Sequence, residues 1–149
     1  MITATQAGQY RDTKIDVKLV LSALWITMLI VFAYVDIFGF FRADVLHAAL
    51  DGKVAVLGLT VDQMFLGLTT VYILIPTLMV FLSLVLRPRV NRIVNIVVAL
   101  VYAVSIIASC IGEGWVYYLL GSAVEVVLLV AIVRTAWTWP RTQVAPSLR

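Results

Sequence analysis

Four long stretches of this chain are apolar with few interruptions, from about Lys18 to Phe41, Asp62 to Leu86, Asn91 to Ile111 and Trp115 to Trp137. A helix needs roughly 20 residues at about 1.5 Å each to cross the hydrocarbon core of a bilayer, and each stretch is that long. The polar residues within them recur at helical spacing. In the third stretch Asn91, Asn95, Val98, Tyr102, Ser105, Ser109 and Gly112 follow one another every three or four positions and so share one face. The second carries a similar seam through Asp62, Phe65, Thr69, Tyr72, Pro76, Met79 and Ser83. Tyr118, Gly121, Ser122 and Glu125 line up on the fourth, and Ser22, Trp25, Leu29, Ala33 and Asp36 on the first. Each span thus has a face that prefers protein or water to lipid. The pattern predicts an all-α transmembrane four-helix bundle.

The connections are short except the first. In "RADVLHAALDGKVAVLGLT" Asp44 is expected as an N-cap, Val45, Leu46, Ala49 and Leu50 as an apolar face, and Gly52 as a stop, giving a short interfacial helix in the first external loop. "TVDQ" reads as a capping box, with Thr60 as the cap and Gln63 reaching back. Pro88 breaks the helix in "RPRVNR". The second and third spans are expected to form a tight antiparallel hairpin, with Thr69, Tyr72 and Pro76 against or beside Tyr102, Ser105 and Ser109. Within it, Pro76 deprives the Tyr72 carbonyl of its helical donor, which predicts a kink and a local acceptor. Residues 1–17 form a polar N-terminal segment, 18–139 the membrane domain, and 140–149 a Pro-punctuated tail expected to be disordered. The first span lacks a small-x-small cleavage pattern and reads as a retained anchor. No internal repeat or second domain is visible.

Composition agrees with this class: 63% of the 149 residues are hydrophobic and the mean hydropathy is +1.07, above the roughly 45–50% apolar content of soluble domains. Charge adds an orientation. Arg11, Lys14, Lys18, Arg87, Arg89, Arg92, Arg134, Arg141 and Arg149 fall on one side of the predicted bundle, and only Arg42 and Lys53 on the other. By the positive-inside rule both termini are expected in the cytoplasm and the protein in the plasma (cytoplasmic) membrane. Arg87, Arg89 and Arg92 are then expected to contact anionic lipid headgroups, each worth about 1 kcal/mol near such a surface. Trp115, Tyr117 and Tyr118 would sit in the outer aromatic belt, Trp137 and Trp139 in the inner one. The net charge of +3 reflects this topology, and no basic stretch interleaved with aromatics suggests a nucleic-acid partner.

Several chemistries drop out on residue inventory. Cys110 is the single cysteine and His47 the single histidine, so an intrachain disulfide, a CxxC redox centre and a thiolate metal site lack their residues. There is no Gly-rich phosphate cradle, GxSxG elbow or HExxH motif. No cofactor and no metal is expected.

The acids inside the spans remain. An ionisable group at mid-bilayer costs about 2.5–3.5 kcal/mol even on lenient insertion scales, so it usually marks a partner, a cavity or a proton path. Glu125 lies ten residues in from Trp115, about 15 Å deep. Arg134, nine residues on, falls on the opposite side of the same helix and cannot pair with it. Depth matching between antiparallel neighbours brings Tyr72 and Tyr102 to the level of Glu125. Glu125 is expected to point into the bundle as a neutral acid, donating to Tyr72, Tyr102 or a trapped water. Asp36 is shallower and within reach of outer-leaflet water. The candidate ligand or proton pocket is thus Glu125, Tyr72, Tyr102, Asp36, Ser122, Ser105 and Thr69. For the serines, threonines and asparagines, close helix packing at about 0.6 kcal/mol per contact is the competing explanation.

The segments "LSALWI", "YVDIFGFF", "IPTLMVFLSLVL", "NRIVNI" and "YYLLGSAVEVV", with the closing "AWTW", resemble an uncharacterised bacterial family of four-span membrane proteins, itself distantly similar to the DoxX-like membrane proteins. The resemblance covers about residues 17 to 139. It implies a four-helix bundle in the bacterial inner membrane with no assigned activity, and matches Asp36, Asn91, Arg92, Asn95 and Glu125 to the polar positions of the family pattern. The lone Cys110 speaks against thiol chemistry of the DoxX-like kind.

Three functions of different classes follow. The leading reading is an accessory or scaffold subunit, a dry bundle whose partners are membrane lipids and another protein, as a homo-oligomer or within a larger membrane complex. The second is a bundle that binds or moves a lipid or small lipophilic molecule, which requires a polar cavity at mid-depth faced by Glu125. The third, least favoured, is a membrane enzyme using Asp36 and Glu125 as acid and base, which requires both carboxyls to reach one ligand.

Overall fold

The structure is a computed structural model that describes residues 14–55 and 59–139. The N-terminal segment up to residue 13 and the tail from residue 140 lie outside the described residues, as do the expectations made for them. The described chain is all-helical: α1 (Val17–Gly39), α2 (Ala43–Leu50), α3 (Gln63–Val85), α4 (Pro88–Ser109) and α5 (Val116–Trp137). The four long helices, α1, α3, α4 and α5, are each long and apolar enough to cross a membrane, with peak mean hydropathies of 2.1 to 2.3. Their bounds lie within three residues of the predicted spans.

Local chemistry sets the ends. The Asp16 carboxylate accepts from the Lys18 N–H at 2.7 Å and opens α1. Pro88, at the first position of α4, needs no helical donor there. At the start of α3 the cap is Asp62, whose carboxylate accepts from the Phe65 N–H at 2.7 Å. The expected Thr60–Gln63 box is therefore displaced by two residues, because a carboxylate accepts more strongly than a hydroxyl. Instead, Thr60 lies opposite Lys53 in an antiparallel bridge within the first loop. Asp44 is likewise no cap of α2. The N-cap is Arg42, without a side-chain hydrogen bond, and the Asp44 carboxylate turns back onto the Arg42 guanidinium. Gly52, at φ +67°, ends that turn as expected.

The long helices run alternately up and down. Lys18 Nζ donates to the Leu84 carbonyl at 2.9 Å, joining the start of α1 to the end of α3, and the Arg92 guanidinium lies 5.1 Å over the Trp137 ring, joining the start of α4 to the end of α5. This end carries most of the basic residues. α5 packs closely on both α4 and α1, and α1 on α3, whereas α3 and α4 approach each other in few places. The expected tight α3–α4 hairpin is thus corrected to a splayed one, although the two seams do face each other, with Tyr72 Oη 2.7 Å from Ser105 Oγ. Large side chains stand between the two helices: the Tyr72 and Tyr102 rings stack with centroids 4.7 Å apart, and these rings hold the backbones away from each other. Between α1 and α5 the approach is the reverse. A Cβ added at Gly121 would overlap Val35 Cγ2, so glycine is what lets these two helices meet.

The core occupies the basic half. Leu21, Trp25, Met28, Met79, Ala99, Leu129, Ile132 and Ala136 are buried there. Among them lies a polar network joining three helices. Asn95 Oδ1 accepts from Trp25 Nε1 at 2.7 Å and from Ser83 Oγ at 3.2 Å, while Asn95 Nδ2 donates to Asn91 Oδ1 at 2.6 Å. Asn91 Nδ2 donates in turn to the Ser83 carbonyl at 2.6 Å. That carbonyl and the Leu84 carbonyl bound by Lys18 are among the last four of α3, which have no helical donor of their own. The outer large apolar side chains, such as Ile30, Leu68, Phe81, Val104 and Val127, are exposed around the whole bundle, a perimeter suited to lipid.

At the opposite end one buried arginine ties the loops together. Arg42 pairs bidentately with Asp44, at 3.1 and 2.6 Å, and with Glu113 at 3.0 Å, and stacks 4.7 Å over Trp115. Asp44 is held below its ordinary pKa, first by the Arg42 hydrogen bond. For Glu113, burial raises the pKa, but Arg42 and the backbone N–H groups of Trp115 and Gly114 outweigh it, so the net direction is down. Depressed carboxyl pKa values contribute stability that is present above the unfolded values and lost as pH falls through the folded ones. Arg42→Gln is expected to lower the melting temperature of the detergent-solubilised protein near neutrality, modestly because Asp44 is open to solvent. The gap from the parent protein should close as the pH falls below the ordinary carboxylate range. A gap independent of pH would remove these ion pairs from the account.

Candidate functional site

The half of the bundle away from the basic end is not filled. Because α3 stands off from α4, the space between the four long helices opens there into a cavity of about 190 Å³. α5 contributes Tyr118, Ser122 and Glu125, and α4 contributes Ser105, Ile106 and Ser109. Phe32, Val35 and Asp36 of α1 and Tyr72 of α3 complete the wall. Asp36 and Ser109 are exposed and mark the mouth, while Ser122 and Glu125, only 3% and 2% exposed, form the floor. Glu125 stands nine residues into α5 and Tyr72 nine into α3, so the floor lies nearly half-way along the bundle.

Most hydroxyl protons around the cavity are already committed. Ser105 Oγ donates to the Tyr102 carbonyl at 2.9 Å, leaving its oxygen to accept from Tyr72 Oη at 2.7 Å. One helical turn away the same arrangement recurs: Ser109 Oγ donates to the Ile106 carbonyl at 2.8 Å and accepts from Tyr118 Oη at 2.9 Å. The wall therefore presents mainly lone pairs. Glu125 Oε1 is buried and has no hydrogen-bond partner among the described residues. A buried polar atom without a partner costs free energy, about 1–3 kcal/mol, and persists in native structures where something else is to occupy or use the site.

Of the seven pocket residues expected from sequence, Glu125, Tyr72, Asp36, Ser122 and Ser105 line this one cavity. Tyr102 and Thr69 do not. The Tyr102 hydroxyl donates to the Tyr72 carbonyl, the acceptor freed by Pro76, and its ring faces the apolar space among Met28, Phe32 and Pro76 beneath. The demand of a buried carbonyl without its helical donor is local and takes Tyr102 out of the cavity. Thr69 Oγ1 donates back to the Phe65 carbonyl at 2.9 Å and so satisfies itself within α3. The expected contact of Glu125 with either tyrosine is absent, since both phenols are engaged elsewhere.

Five lining residues were not among those expected: Ser109, Tyr118, Phe32, Val35 and Ile106. Ser109 and Tyr118 are on the polar seams read from the sequence, nearer the mouth than Glu125. Phe32 lies one turn before Asp36 and could have been found from that spacing. On α1 the seam drawn through Ala33 drifts off the inner face. Ala33 is exposed, and the face runs instead through Trp25, Met28 and Val35.

At the basic end Arg89 and Arg92 line a surface groove of about 420 Å³ with Ile93, Ile96, Val97 and Trp137. Arg87 is exposed and lies outside it. Among the described residues no group of three or more His, Cys, Asp or Glu side chains is placed to hold a metal ion.

No curated protein and no solved structure is significantly similar to the chain. A family model does match it, over residues 11–146, and the chain belongs to that family, described as a family of unknown function (DUF6326).

Proposed function

We propose that this protein is a membrane bundle that binds a small molecule in the cavity above Glu125, admitting it from the external face. One observation carries the reading: Glu125 is 2% exposed, lines the floor of a 190 Å³ cavity and keeps Oε1 without a partner among the described residues. A subunit serving only as a scaffold has no use for such a group, because its helices would gain by closing over it. The volume is below the roughly 300–1,000 Å³ of drug-sized sites, so the ligand is small. The topology we attach to this reading follows the basic residues, with the α3–α4 loop cytoplasmic, the cavity mouth external and the protein in the plasma membrane. Arg89 and Arg92 then face the headgroups of the inner leaflet. The likeness to DoxX-like proteins belongs to the same proposal and extends to the bundle alone.

A second reading, an acid–base catalyst acting on a lipophilic substrate, draws on the fact that Asp36 and Glu125 line one cavity. It requires turnover as well as binding.

Thiol labelling in intact cells tests the proposal. In a Cys110→Ser background, Ser122→Cys is expected to react with a small, membrane-impermeant thiol reagent. Ala99→Cys, in the packed half, and Arg89→Cys, on the cytoplasmic side, are expected not to react. Failure of Ser122→Cys to label in solubilised protein would sink the cavity reading, and labelling of Arg89→Cys in intact cells would invert the topology.

A further inference from the structure

The cavity is chemically one-sided. Its polar side-chain atoms are all oxygens, from Asp36, Glu125, Tyr72, Tyr118, Ser105, Ser109 and Ser122, and among the described residues no lysine, arginine, histidine, asparagine, glutamine or tryptophan lines it. The protons of four of its five hydroxyls are spent: Tyr72 donates to Ser105 and Tyr118 to Ser109, and both serines donate to backbone carbonyls. What the wall offers is lone pairs, two carboxyl groups and the aromatic rings of Phe32, Tyr72 and Tyr118. An anion would meet two acids and almost no donors. A neutral acceptor would find only the Ser122 hydroxyl and the protons of the acids themselves, whereas an ammonium ion is matched by a carboxyl in its ionised, acceptor-only form.

From this bookkeeping we infer that the ligand of the cavity is a small organic ammonium ion, a primary or secondary amine carrying an apolar group. Its N–H donors would meet the Glu125 carboxyl and the serine and tyrosine lone pairs, while its apolar part rests on Phe32, Val35 and Ile106. The inference rests on the binding role proposed above and names the ligand class. Ring faces add a further attraction for a cation, of about 0.5–2 kcal/mol for each well-placed contact. A bare metal cation fits less well. Oxygen ligands must close to about 2.0–2.6 Å around such an ion, and 190 Å³ is far more room than that leaves. The ammonium of a lipid headgroup is also excluded by position. The floor lies nine residues into α5, about 13 Å along the helix, and a lipid phosphate remains at the interface. Asp36, exposed at the mouth, provides the first charge that an entering ammonium meets.

The test is equilibrium binding to the purified full-length chain in detergent, with 2-phenylethylammonium, the neutral 2-phenylethanol and the anion phenylacetate as probes. The ammonium is expected to bind at least tenfold more tightly than the alcohol, and phenylacetate not at all. Glu125→Gln should bring the ammonium to within about threefold of the alcohol, and Asp36→Asn should weaken it less. Should Glu125→Gln fail to fold, Ser122→Val, which narrows the floor without touching charge, serves as the second variant and should weaken ammonium and alcohol alike. Equal binding of ammonium and alcohol, or preference for phenylacetate, overturns the ammonium assignment and leaves the cavity standing. Absence of binding by all three also overturns it, and the cavity itself is then judged by the Ser122→Cys labelling.

Discussion

Asn95→Leu is expected to be among the most damaging single substitutions in this protein, lowering stability by about 3 kcal/mol. Asn95 is fully buried and joins α1, α3 and α4 through one side chain. Leucine has the same number of side-chain heavy atoms and the same branching and is more at home in a membrane, so outline and hydrophobicity predict little harm. The damage comes from what is left behind: the Trp25 Nε1–H and the Ser83 hydroxyl lose their acceptor, and Asn91 Oδ1 loses its donor. Each orphaned group costs about 1 kcal/mol here, near the middle of the range between buried groups in water-soluble proteins and interhelical bonds in bilayers. Trp25→Phe removes the donor as well as its need for a partner and should cost less. The Trp25→Phe, Asn95→Leu double variant should therefore be less destabilised than the sum of the two single changes. Unfolding of the solubilised protein in increasing sodium dodecyl sulfate, followed by circular dichroism, gives the numbers. A loss below 1 kcal/mol for Asn95→Leu, or strict additivity, would mean that the network contributes packing alone.

The second large effect has the opposite sign. Glu125→Leu is expected to raise stability by about 1–3 kcal/mol, because it removes a buried carboxyl with an unpartnered oxygen and fills part of the cavity floor. The same change should abolish binding in the cavity. Glu125→Gln retains the shape and a hydrogen-bonding group, so its stability should stay close to that of the parent. A stabilised but inactive Leu variant is the signature of a residue retained for function at a cost in stability. The melting temperatures of the two variants, beside the parent in one detergent, decide the matter. A Leu variant less stable than the parent would make Glu125 a structural hydrogen-bonding group and would remove the observation on which the proposed function stands.

The two cases differ in how far they could be read from sequence. Glu125 announced itself, since a lone acid in the middle of an apolar run is costly wherever the helix packs. Its depth followed from counting residues, and its face from helical spacing. The pocket around it was legible in five of its seven expected members for the same reason. Asn95 looked like one polar position on a seam. Its importance depends on Trp25, seventy residues away, arriving at its carbonyl oxygen, which no spacing rule within a span can foresee. Pro76 lies between these extremes. The missing donor at the Tyr72 carbonyl was readable, whereas the identity of the replacement, the Tyr102 hydroxyl, required α4 to be in place.

By itself, the sequence determined the elements of this protein: four spans and a short surface helix, the inner face of the last three spans, the excess of basic residues at one end and the acid half-way through the last span. These are properties of length, periodicity and burial cost, which act within a single helix and are independent of its neighbours. Tertiary structure alone decided that α5 fits closely against α1 across Gly121 while α3 stands off from α4, so that one half of the bundle is packed and the other holds a cavity. It also decided where each hydroxyl proton goes. That Arg42 gathers Asp44 and Glu113, that Tyr102 turns away to a carbonyl, and that the cavity is left with acceptors all follow from competition among partners on different helices. Such competition is resolved by three-dimensional distance, because each donor has few protons to give and each buried acceptor pays for being missed.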